Sequence, residues 1–527
     1  MTSDNDASTL CLQKKKTPTL TASEGLQDKK DEDEKHEEID DEHSNVSGWT
    51  PLVVLGGVTC CFGSALPAGF NIGVMNNPAE IMQAFCNASF QQRYDVHLDE
   101  TELNIIWGAV VSIFLIGGVT GSLLASWIAD KYGRRGALAI GNLCGIVGAI
   151  LFLLVPTLNS VEVLMLGRLM VGLSGGIATS VLPTYVTEIA PLKQRGAVGV
   201  LCQLGITVGV FFGQVAGLQT VLGTVDHWHL MLASFAPLCV ISLIILRILP
   251  ESPKYLYITR RKEDTAIQEL RRLRNVNVTL LQKEIRDLRE EATARTTMDT
   301  WTMRRVLSDP SVRLPLLLVS SLQLGQQLSG INAVFYYSNI IFKKSNLDAT
   351  GAQYATLGTG LINIGMAVIS VWMMSRFGRR LLFLSSSIAS VVCLVVLCGS
   401  LKAIDSATFM PWLCTIAVLA YVLFYGIGLG PIPYFIGSEL FEVGPRPAAM
   451  SLGSVCNWGG NFIVGMLFPP LETIMGPLVF LLFAISTTLV GLFARHYLPE
   501  TRGVDTSLTA FRLSRGLNSR RQDIESS

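Results

Sequence analysis

The chain has 527 residues, of which 50% are hydrophobic and 16% charged, and its formal net charge is zero. A soluble globular protein carries about a quarter charged residues, so this composition excludes that class. The zero net charge gives no basis for a nucleic-acid partner. The 11 cysteines show no CxxC pair or metal-ligand spacing, which is typical of small buried apolar side chains and predicts no metal site.

Twelve apolar segments follow a polar N-terminal stretch. Residues 1–48 contain the acidic run DEDEKHEEIDDE, cannot bury a core and are predicted to be disordered. The first apolar run begins after Trp49, so no cleavable signal peptide is expected. Each later segment is long enough to cross about 30 Å of hydrocarbon. Their approximate spans are 51–75, 104–128, 137–157, 161–184, 197–217, 229–249, 314–341, 355–374, 381–400, 412–437, 449–471 and 477–497.

A polar segment, 251–313, separates the first six spans from the last six. It alternates basic and acidic residues, and its leucines recur at near-helical spacing, which predicts short amphipathic helices. The predicted domains are an acidic tail (1–48), a six-helix bundle (49–250), a helical linker (251–313), a second six-helix bundle (314–498) and a polar tail (499–527).

Lysine and arginine concentrate in the loops on one side of the predicted spans. The positive-inside rule places that side in the cytoplasm, together with the linker and both termini. The loop 76–103 then faces outside, where Asn87 begins an Asn-Ala-Ser glycosylation acceptor sequence. We expect a multi-pass protein of the plasma membrane.

Motifs of the first six-span unit recur in the second. DKYGRR at 130–135 matches SRFGRR at 375–380, and PESPKYL at 250–256 matches PETRG at 499–503. Glu188 and Glu439 each precede an arginine by seven residues. Such a parallel repeat places a substrate site between the halves, near the middle of the membrane.

The repeated charges at the cytoplasmic helix ends predict a gate. The two glutamates are expected to pair with arginines across the halves when the cytoplasmic side is closed, and to release them when it opens. The alternative is that the arginines only fix the loops inside, but loop charge does not require the repeated Glu-x6-Arg spacing. The predicted gate residues are Asp130, Arg134, Arg135, Glu188, Arg195, Arg379, Arg380, Glu439 and Arg446.

The interior of the spans carries carboxamides where a proton-driven carrier needs a titratable group. Away from the span ends, the only ionisable residue is Arg168. Amides donate and accept hydrogen bonds without charge, as a neutral polyhydroxylated ligand requires. Amides also join membrane helices, and this alternative stays open for any single residue. The amides are Asn71, Asn76, Gln203, Gln323, Gln326, Gln327, Asn332, Asn363, Asn457 and Asn461.

Motifs from about residue 49 to 503 resemble the facilitative glucose transporters, in the sugar-porter branch of the major facilitator superfamily, and are similar to an invertebrate-like member. The motifs are GFNIGVMNNP (69–78), GRR (133–135), PESPKYL (250–256), QQLSGINAVFYYS (326–338), GPIPYF (430–435), GPRPAA (444–449), CNWGGNFIVGM (456–466) and PETRG (499–503). The resemblance implies an all-α membrane protein of twelve transmembrane helices in two six-helix pseudo-repeats. It also implies alternating-access transport of hexoses, without a cofactor.

The resemblance also implies the site. Asn71 occupies the position of an aspartate in bacterial proton-coupled relatives, which argues against proton coupling. An extracellular lid is implied at Phe335, Tyr336 and Tyr337. The expected sugar-binding residues, with Tyr434 as an aromatic face, are Gln203, Gln326, Gln327, Asn332, Asn363, Tyr434, Asn457, Trp458 and Asn461.

The chain departs from the family pattern at four places. Gly426 replaces a sugar-contacting glutamate, Tyr434 replaces a tryptophan, and the QLS signature reads Gln323-Leu324-Gly325. Ser375 replaces a glutamate at the cytoplasmic end of the eighth span, which predicts a weaker inward gate. D-glucose stays the favoured substrate because the other contact positions agree.

Two other functions stay open at this point. A proton-coupled sugar or polyol symporter has the same fold, and a non-transporting sugar receptor would recruit partners through its tails. No nucleophile, base or metal constellation indicates an enzyme. The expected partners are a hexose, the lipid bilayer and cytosolic proteins that bind the tails.

Overall fold

The structure is a computed structural model that describes residues 49–75, 77–191, 195–297, 301–335, 342, 348–442, 444–502, 504 and 506–514. Every regular element within these ranges is a helix. The acidic tail and two predicted lid residues, Tyr336 and Tyr337, lie outside the described residues.

The first half consists of six long helices and one shorter helix between the first two. They are α1 (Pro51–Gly73), α2 (Ala79–Tyr94), α3 (100–132), α4 (134–158), α5 (Val161–Ile189), α6 (Arg195–Ala216) and α7 (Trp228–Leu246). Helices α3 and α4 form one run, Glu100–Leu158, broken at Gly133, where φ is 87°. This left-handed conformation favours glycine, and a Cβ there would lie 3.1 Å from the ring of Tyr255.

Three short α-helices lie in the described part of the segment between the halves. They are α8 (Glu263–Arg274), α9 (Gln282–Thr297) and α10 (Met303–Ser308). Helix α8 buries Leu270 and Leu273, together with Arg274, whose Nε lies 3.0 Å from the Oε1 of Glu284. Its end is joined to the start of α1, because the Thr50 hydroxyl donates to the carbonyl of Leu273 at 2.6 Å.

The second half repeats the pattern of six long helices. They are α11 (Pro310–Leu328), α12 (Ala349–Arg376), α13 (Arg379–Lys402), α14 (Met410–Leu440), α15 (Arg446–Met475) and α16 (Val479–Tyr497), followed by α17 (Thr506–Ser514). Helix α11 ends where Gly330 takes a φ of 88°, and the chain is helical again from residue 331. A Cβ on Gly330 would lie 2.7 Å from the ring of Phe483, so both conformation and space favour glycine.

The described helices account for the twelve predicted spans. Eight runs are long and apolar enough to cross a membrane, and one of them contains both α3 and α4. Helices α6, α11 and α15 supply the other three. Large apolar side chains cover the outside, and Ile388 and Ile474 are 67% and 80% exposed. Such a surface suits lipid, where helices satisfy their own backbone hydrogen bonds, so this is a multi-pass membrane protein.

Candidate functional site

A cavity lies between the two halves. Its wall is formed by α1, α5 and α6 on one side and by α11, α12, α14 and α15 on the other. Eight of the nine predicted binding residues line it, namely Gln203, Gln327, Asn332, Asn363, Tyr434, Asn457, Trp458 and Asn461. The predicted lid residue Phe335 lines it too. The structure therefore brings residues far apart in the sequence to one polar surface.

The amides of α11 and α15 form one hydrogen-bonded network. The Nε2 of Gln327 donates to the Oδ1 of Asn457 at 3.0 Å, and the amide of Asn332 donates to the Oε1 of Gln327. The Nδ2 of Asn457 donates to the Oε1 of Gln323 at 2.8 Å. Gln323 and Gln327 are four residues apart, so they share one face of α11. The network presents donors and acceptors to the cavity with no charge.

Gln326 is the exception among the predicted binding residues, because it does not line the cavity. It is 1% exposed and follows Gln323 by three residues on a neighbouring part of the helix surface. Its Nε2 donates to the carbonyl of Gly430 at 2.5 Å, and its Oε1 accepts from the Nδ2 of Asn457 at 2.6 Å. Gln326 therefore orients Asn457 from behind the cavity wall and holds the turn at Gly430, where α14 is interrupted between Ile427 and Ile432.

The end of α11 is held by a tyrosine that sequence reasoning did not single out. The hydroxyl of Tyr421 on α14 donates to the carbonyl of Ser329 at 2.7 Å, and the Ser329 hydroxyl donates to the carbonyl of Gln326 at 2.6 Å. The turn at Gly330 then directs Asn332 and Phe335 into the cavity. No motif marked Tyr421, since a tyrosine in an apolar span looks like any other large side chain.

Trp458 reaches from the second half into the first. Its ring packs edge-on against Phe114 with centroids 5.6 Å apart, and a Cβ on Gly118 would lie 2.5 Å from the Cδ2 of the indole. Its Nε1 donates to the hydroxyl of Thr179 at 3.3 Å. The indole therefore forms a flat apolar wall that bridges the two halves. Hydroxyl groups of Thr179, Ser180, Thr207 and Ser454 add polar groups that the sequence did not identify.

Asn71 does not line the cavity, although the sequence singled it out. It is 1% exposed, and its Nδ2 donates to the carbonyl of Pro67 at 2.9 Å. Its own backbone carbonyl accepts from the Nη1 of Arg168 at 3.0 Å. The guanidinium of Arg168 lies 4.5 Å from the centroid of the Phe114 ring. Asn71 thus belongs to the packing around Arg168, which is 1% exposed.

The first half carries a charge cluster at the start of α4. The Nε of Arg134 lies 3.1 Å from the Oε2 of Glu188, which also accepts from the hydroxyl of Ser252. Glu251 accepts from the backbone N–H of Arg134 at 3.0 Å, so it caps α4. Burial raises the pKa of the Glu251 carboxyl above its usual range, although the backbone N–H groups that donate to Glu251 act to lower it.

The second half repeats that cluster at the start of α13. The Nη2 of Arg379 lies 3.1 Å from the Oε1 of Glu439, which also accepts from the hydroxyl of Thr501. Glu500 accepts from the backbone N–H of Arg379 at 2.8 Å, as Glu251 does in the first half. The repeated PES and PET motifs thus have one physical role, to cap a helix and hold a glutamate with a hydroxyl.

The predicted pairing of these charges across the halves is wrong for the described residues. Each ion pair lies within its own half, Arg134–Glu188 in the first and Arg379–Glu439 in the second. In each half the capping motif brings the chain back to the glutamate and arginine of that same half. Asp130 is largely exposed and lies 3.5 Å from Arg134, and the side chain of Arg195 lies outside the described residues. The other three gate residues donate to nearby carbonyls: Arg135 to Leu249, Arg380 to Arg495 and Arg446 to Phe441.

Serines make the contact between the halves on the side of the cavity that carries the charge clusters. The hydroxyls of Ser122 and Ser454 lie 3.0 Å apart, and those of Ser126 and Ser451 lie 3.1 Å apart. Ser451 also donates to the carbonyl of Ser122 at 3.1 Å. These bonds join α3 to α15 on that side of the cavity.

The predicted glycosylation residue, Asn87, lies in the middle of α2. Its Oδ1 is buried without a hydrogen-bond partner in the described part of the chain. Ser89, the third residue of the acceptor sequence, is 2% exposed and donates to the carbonyl of Asn159 at 2.8 Å. Modification would thus have to precede the folding of α2, and use of this position stays a prediction.

Residues 57–510 match the family model described as Sugar (and other) transporter. The chain is 35% identical over 465 residues to solute carrier family 2, facilitated glucose transporter member 1 of Gallus gallus, covering 88% of this chain and 94% of the relative. It is 38% identical over 435 residues to facilitated glucose transporter member 3 of Ovis aries, covering 82% of this chain and 87% of the relative.

Two solved structures share the fold. The proton:xylose symporter XylE, of the major facilitator superfamily, bound to 6-bromo-6-deoxy-D-glucose, superposes with a TM-score of 0.75 at 22% identity, covering 87% of this chain and 98% of that one. A partially occluded inward-open conformation of XylE from E. coli gives 0.71 at 21% identity, covering 86% and 100%. At these identities the likeness establishes the fold alone, which is the predicted one.

Proposed function

The chain belongs to the sugar transporter family, and from this premise we propose that it is a facilitative carrier that moves hexose, with D-glucose preferred, by alternating access. The observation that carries the proposal is the uncharged amide network that lines a cavity between two six-helix halves. The relatives of this chain are named facilitated glucose transporters, and these names support D-glucose as the substrate. No cofactor is needed, since binding and rocking suffice for such a carrier.

The chemistry of the cavity fits a pyranose. Each sugar hydroxyl donates and accepts, and the pairs formed by Gln327, Asn332 and Asn457 offer both functions at one surface. A hydroxyl that enters can therefore replace an amide-to-amide bond without leaving a buried group unsatisfied. The indole of Trp458 and the ring of Tyr434 supply apolar faces for the C–H side of the sugar.

The contacts between the halves support a rocking mechanism. Ion pairs confined to one half, such as Arg134–Glu188, keep the cytoplasmic helix ends of that half together as a unit. The hydroxyl contacts of Ser451 and Ser454 are neutral and weak, so they can separate when the cavity opens to the cytoplasm. The turn at Gly330 lets the helical segment that begins at residue 331 move separately over the sugar.

Uniport is favoured over proton symport by the residues around the cavity. The lining residues in the described part of the chain include no aspartate or glutamate. Asn71, beside Arg168, cannot exchange a proton at physiological pH. A proton-coupled carrier needs a group that titrates as it alternates between the two solutions. The proposed carrier therefore runs down the sugar gradient alone.

We place the protein in the plasma membrane, with the charge clusters and both termini in the cytoplasm. The positive-inside rule supports this orientation. The acidic tail and the polar C-terminal tail are then available to cytosolic partners. The side of the cavity away from the charge clusters is then its outer side.

The proposal is tested with purified protein in liposomes. We expect D-glucose to equilibrate whether or not an inward proton gradient is present, L-glucose to stay out, and D-fructose to enter more slowly than D-glucose. Accumulation of D-glucose above equilibrium under the gradient would show proton coupling. Folded protein that binds D-glucose but equilibrates none would instead support the receptor function.

A further inference from the structure

A fully buried glutamine, Gln214, lies on α6 at the contact between the halves, on the outer side of the cavity. It stands one helical turn beyond Val210, which lines the cavity, and its side chain has no exposed surface. Neither its amide nitrogen nor its amide oxygen has a hydrogen-bond partner within the described residues. A buried amide without partners costs free energy, so its presence here requires a reason.

The amide faces the backbone of Gly360 on α12, in the other half. A Cβ added to Gly360 would collide with the Oε1 of Gln214 and would lie 3.0 Å from the Cδ2 of Phe211. Gly360 stands about one turn from Asn363, another cavity residue. Gln214 and Gly360 therefore form a layer of contact between the halves directly beyond the cavity, where a side chain at position 360 would have to displace the amide of Gln214.

The neighbouring glycines of α12 lack this contact. A Cβ on Gly365 would meet nothing within 4 Å, and a Cβ on Gly358 would lie 3.7 Å from Leu419, which is ordinary contact. The need for glycine at position 360 therefore comes from the other half of the protein. It does not come from the packing of α12 in general.

We propose, on the basis of the carrier function above, that the contact between Gln214 and Gly360 closes the outer side of the cavity. Gln214 then sets how readily this side opens. When the halves close, the amide loses its water and gains no protein partner. When they part, water hydrates it again. The amide thus favours the open state, while the missing side chain of Gly360 permits the closed one. Gln214 is a positioning residue of the transport cycle.

The test measures two quantities in full-length protein in liposomes. One is the rate of D-glucose exchange. The other is the distance between spin labels at Thr220→Cys and Gln353→Cys, near the outer ends of α6 and α12. Each variant is compared in both, so that a change in sugar movement can be traced to a change in closure.

Gly360→Ala is expected to slow exchange about tenfold and to lengthen the label distance, because the closed population falls. Gly365→Ala, the matched control, is expected to change neither quantity. Gln214→Ala added to Gly360→Ala makes room for the new methyl group and is expected to restore both toward wild type. Gln214→Met keeps the size but removes the amide, so it is expected to shift the label distances toward the closed population and to slow exchange.

The proposal is overturned if Gly360→Ala behaves like Gly365→Ala, or if the double variant stays as impaired as Gly360→Ala. If Gly360→Ala does not fold, an unchanged label distribution in Gln214→Met overturns it. The wild-type protein could exchange no sugar while Gly360→Ala still lengthens the label distance and the double variant restores it. That outcome refutes the carrier function and leaves the closing contact intact.

Discussion

Gln327 joins the amide network to the cavity, and its removal gives the sharpest test of the site. Its amide donates to Asn457 and accepts from Asn332, so it contacts the helical segment after Gly330 and the facing helix α15. In the sugar-bound state we expect these bonds to be exchanged for two bonds to sugar hydroxyls. At about 1 kcal/mol net per hydrogen bond, Gln327→Ala should weaken sugar binding by about 2 kcal/mol.

That loss corresponds to about a thirtyfold rise in the half-saturating concentration of D-glucose. Folding should survive, because Asn457 keeps its bonds to Gln323 and Gln326 at 2.8 and 2.6 Å. The assay is the concentration dependence of D-glucose exchange in liposomes that hold equal amounts of folded protein. Gln219→Ala, an amide removed from an exposed position, is the matched control. A half-saturating concentration in Gln327→Ala equal to that of the control would refute the assignment.

Three further perturbations are predicted. Wild-type exchange should be independent of pH near neutrality, whereas Asn71→Asp, which adds a carboxylate next to Arg168, should make the rate depend on pH; equal pH profiles would contradict this. Glu188→Gln should lower the free energy of unfolding by about 2 kcal/mol and Glu439→Gln by about 1 kcal/mol, because the first ion pair is the more buried. Glu188→Gln should therefore also have the lower melting temperature. The reverse order in a melting experiment would contradict this. Ser454→Ala should favour opening to the cytoplasm, seen as faster labelling of the cavity by a reagent added on that side; unchanged labelling would contradict it.

The twelve spans and their repeat were predictable because hydropathy and motif spacing report them directly. The predicted ends were less accurate, since hydropathy stops at the lipid boundary while the helix continues. Helix α5 was predicted to end at 184 but runs to Ile189, and the extra turn carries Glu188 to Arg134. The break after α11 falls at Gly330, because glycine is the residue that a left-handed turn favours.

The cavity residues were identified by resemblance and by the scarcity of acids, but their orientation was not. Adjacent residues on a helix point about 100° apart, so Gln326 and Gln327 face different directions, and only Gln327 of the two lines the cavity. Periodicity alone places Gln323 and Gln327 on one face, and the structure shows that both line the cavity.

The charge clusters show the limit of spacing arguments. The charges in both halves were identified from the sequence. Which arginine pairs with which glutamate depends on the fold, because Glu251 caps α4 and so fixes where the chain passes beside it. Gln214 gave no signal at all, because its role depends on a glycine of the other half.

The central claim is that one sugar site alternates between the two sides of the membrane with no coupled ion. The most direct measurement is counterflow: liposomes loaded with unlabelled D-glucose are diluted into labelled D-glucose, without any ion gradient. A carrier of this kind predicts that labelled sugar rises transiently above its equilibrium level inside and then decays. A monotonic approach to equilibrium, or no entry by folded protein, would contradict the account.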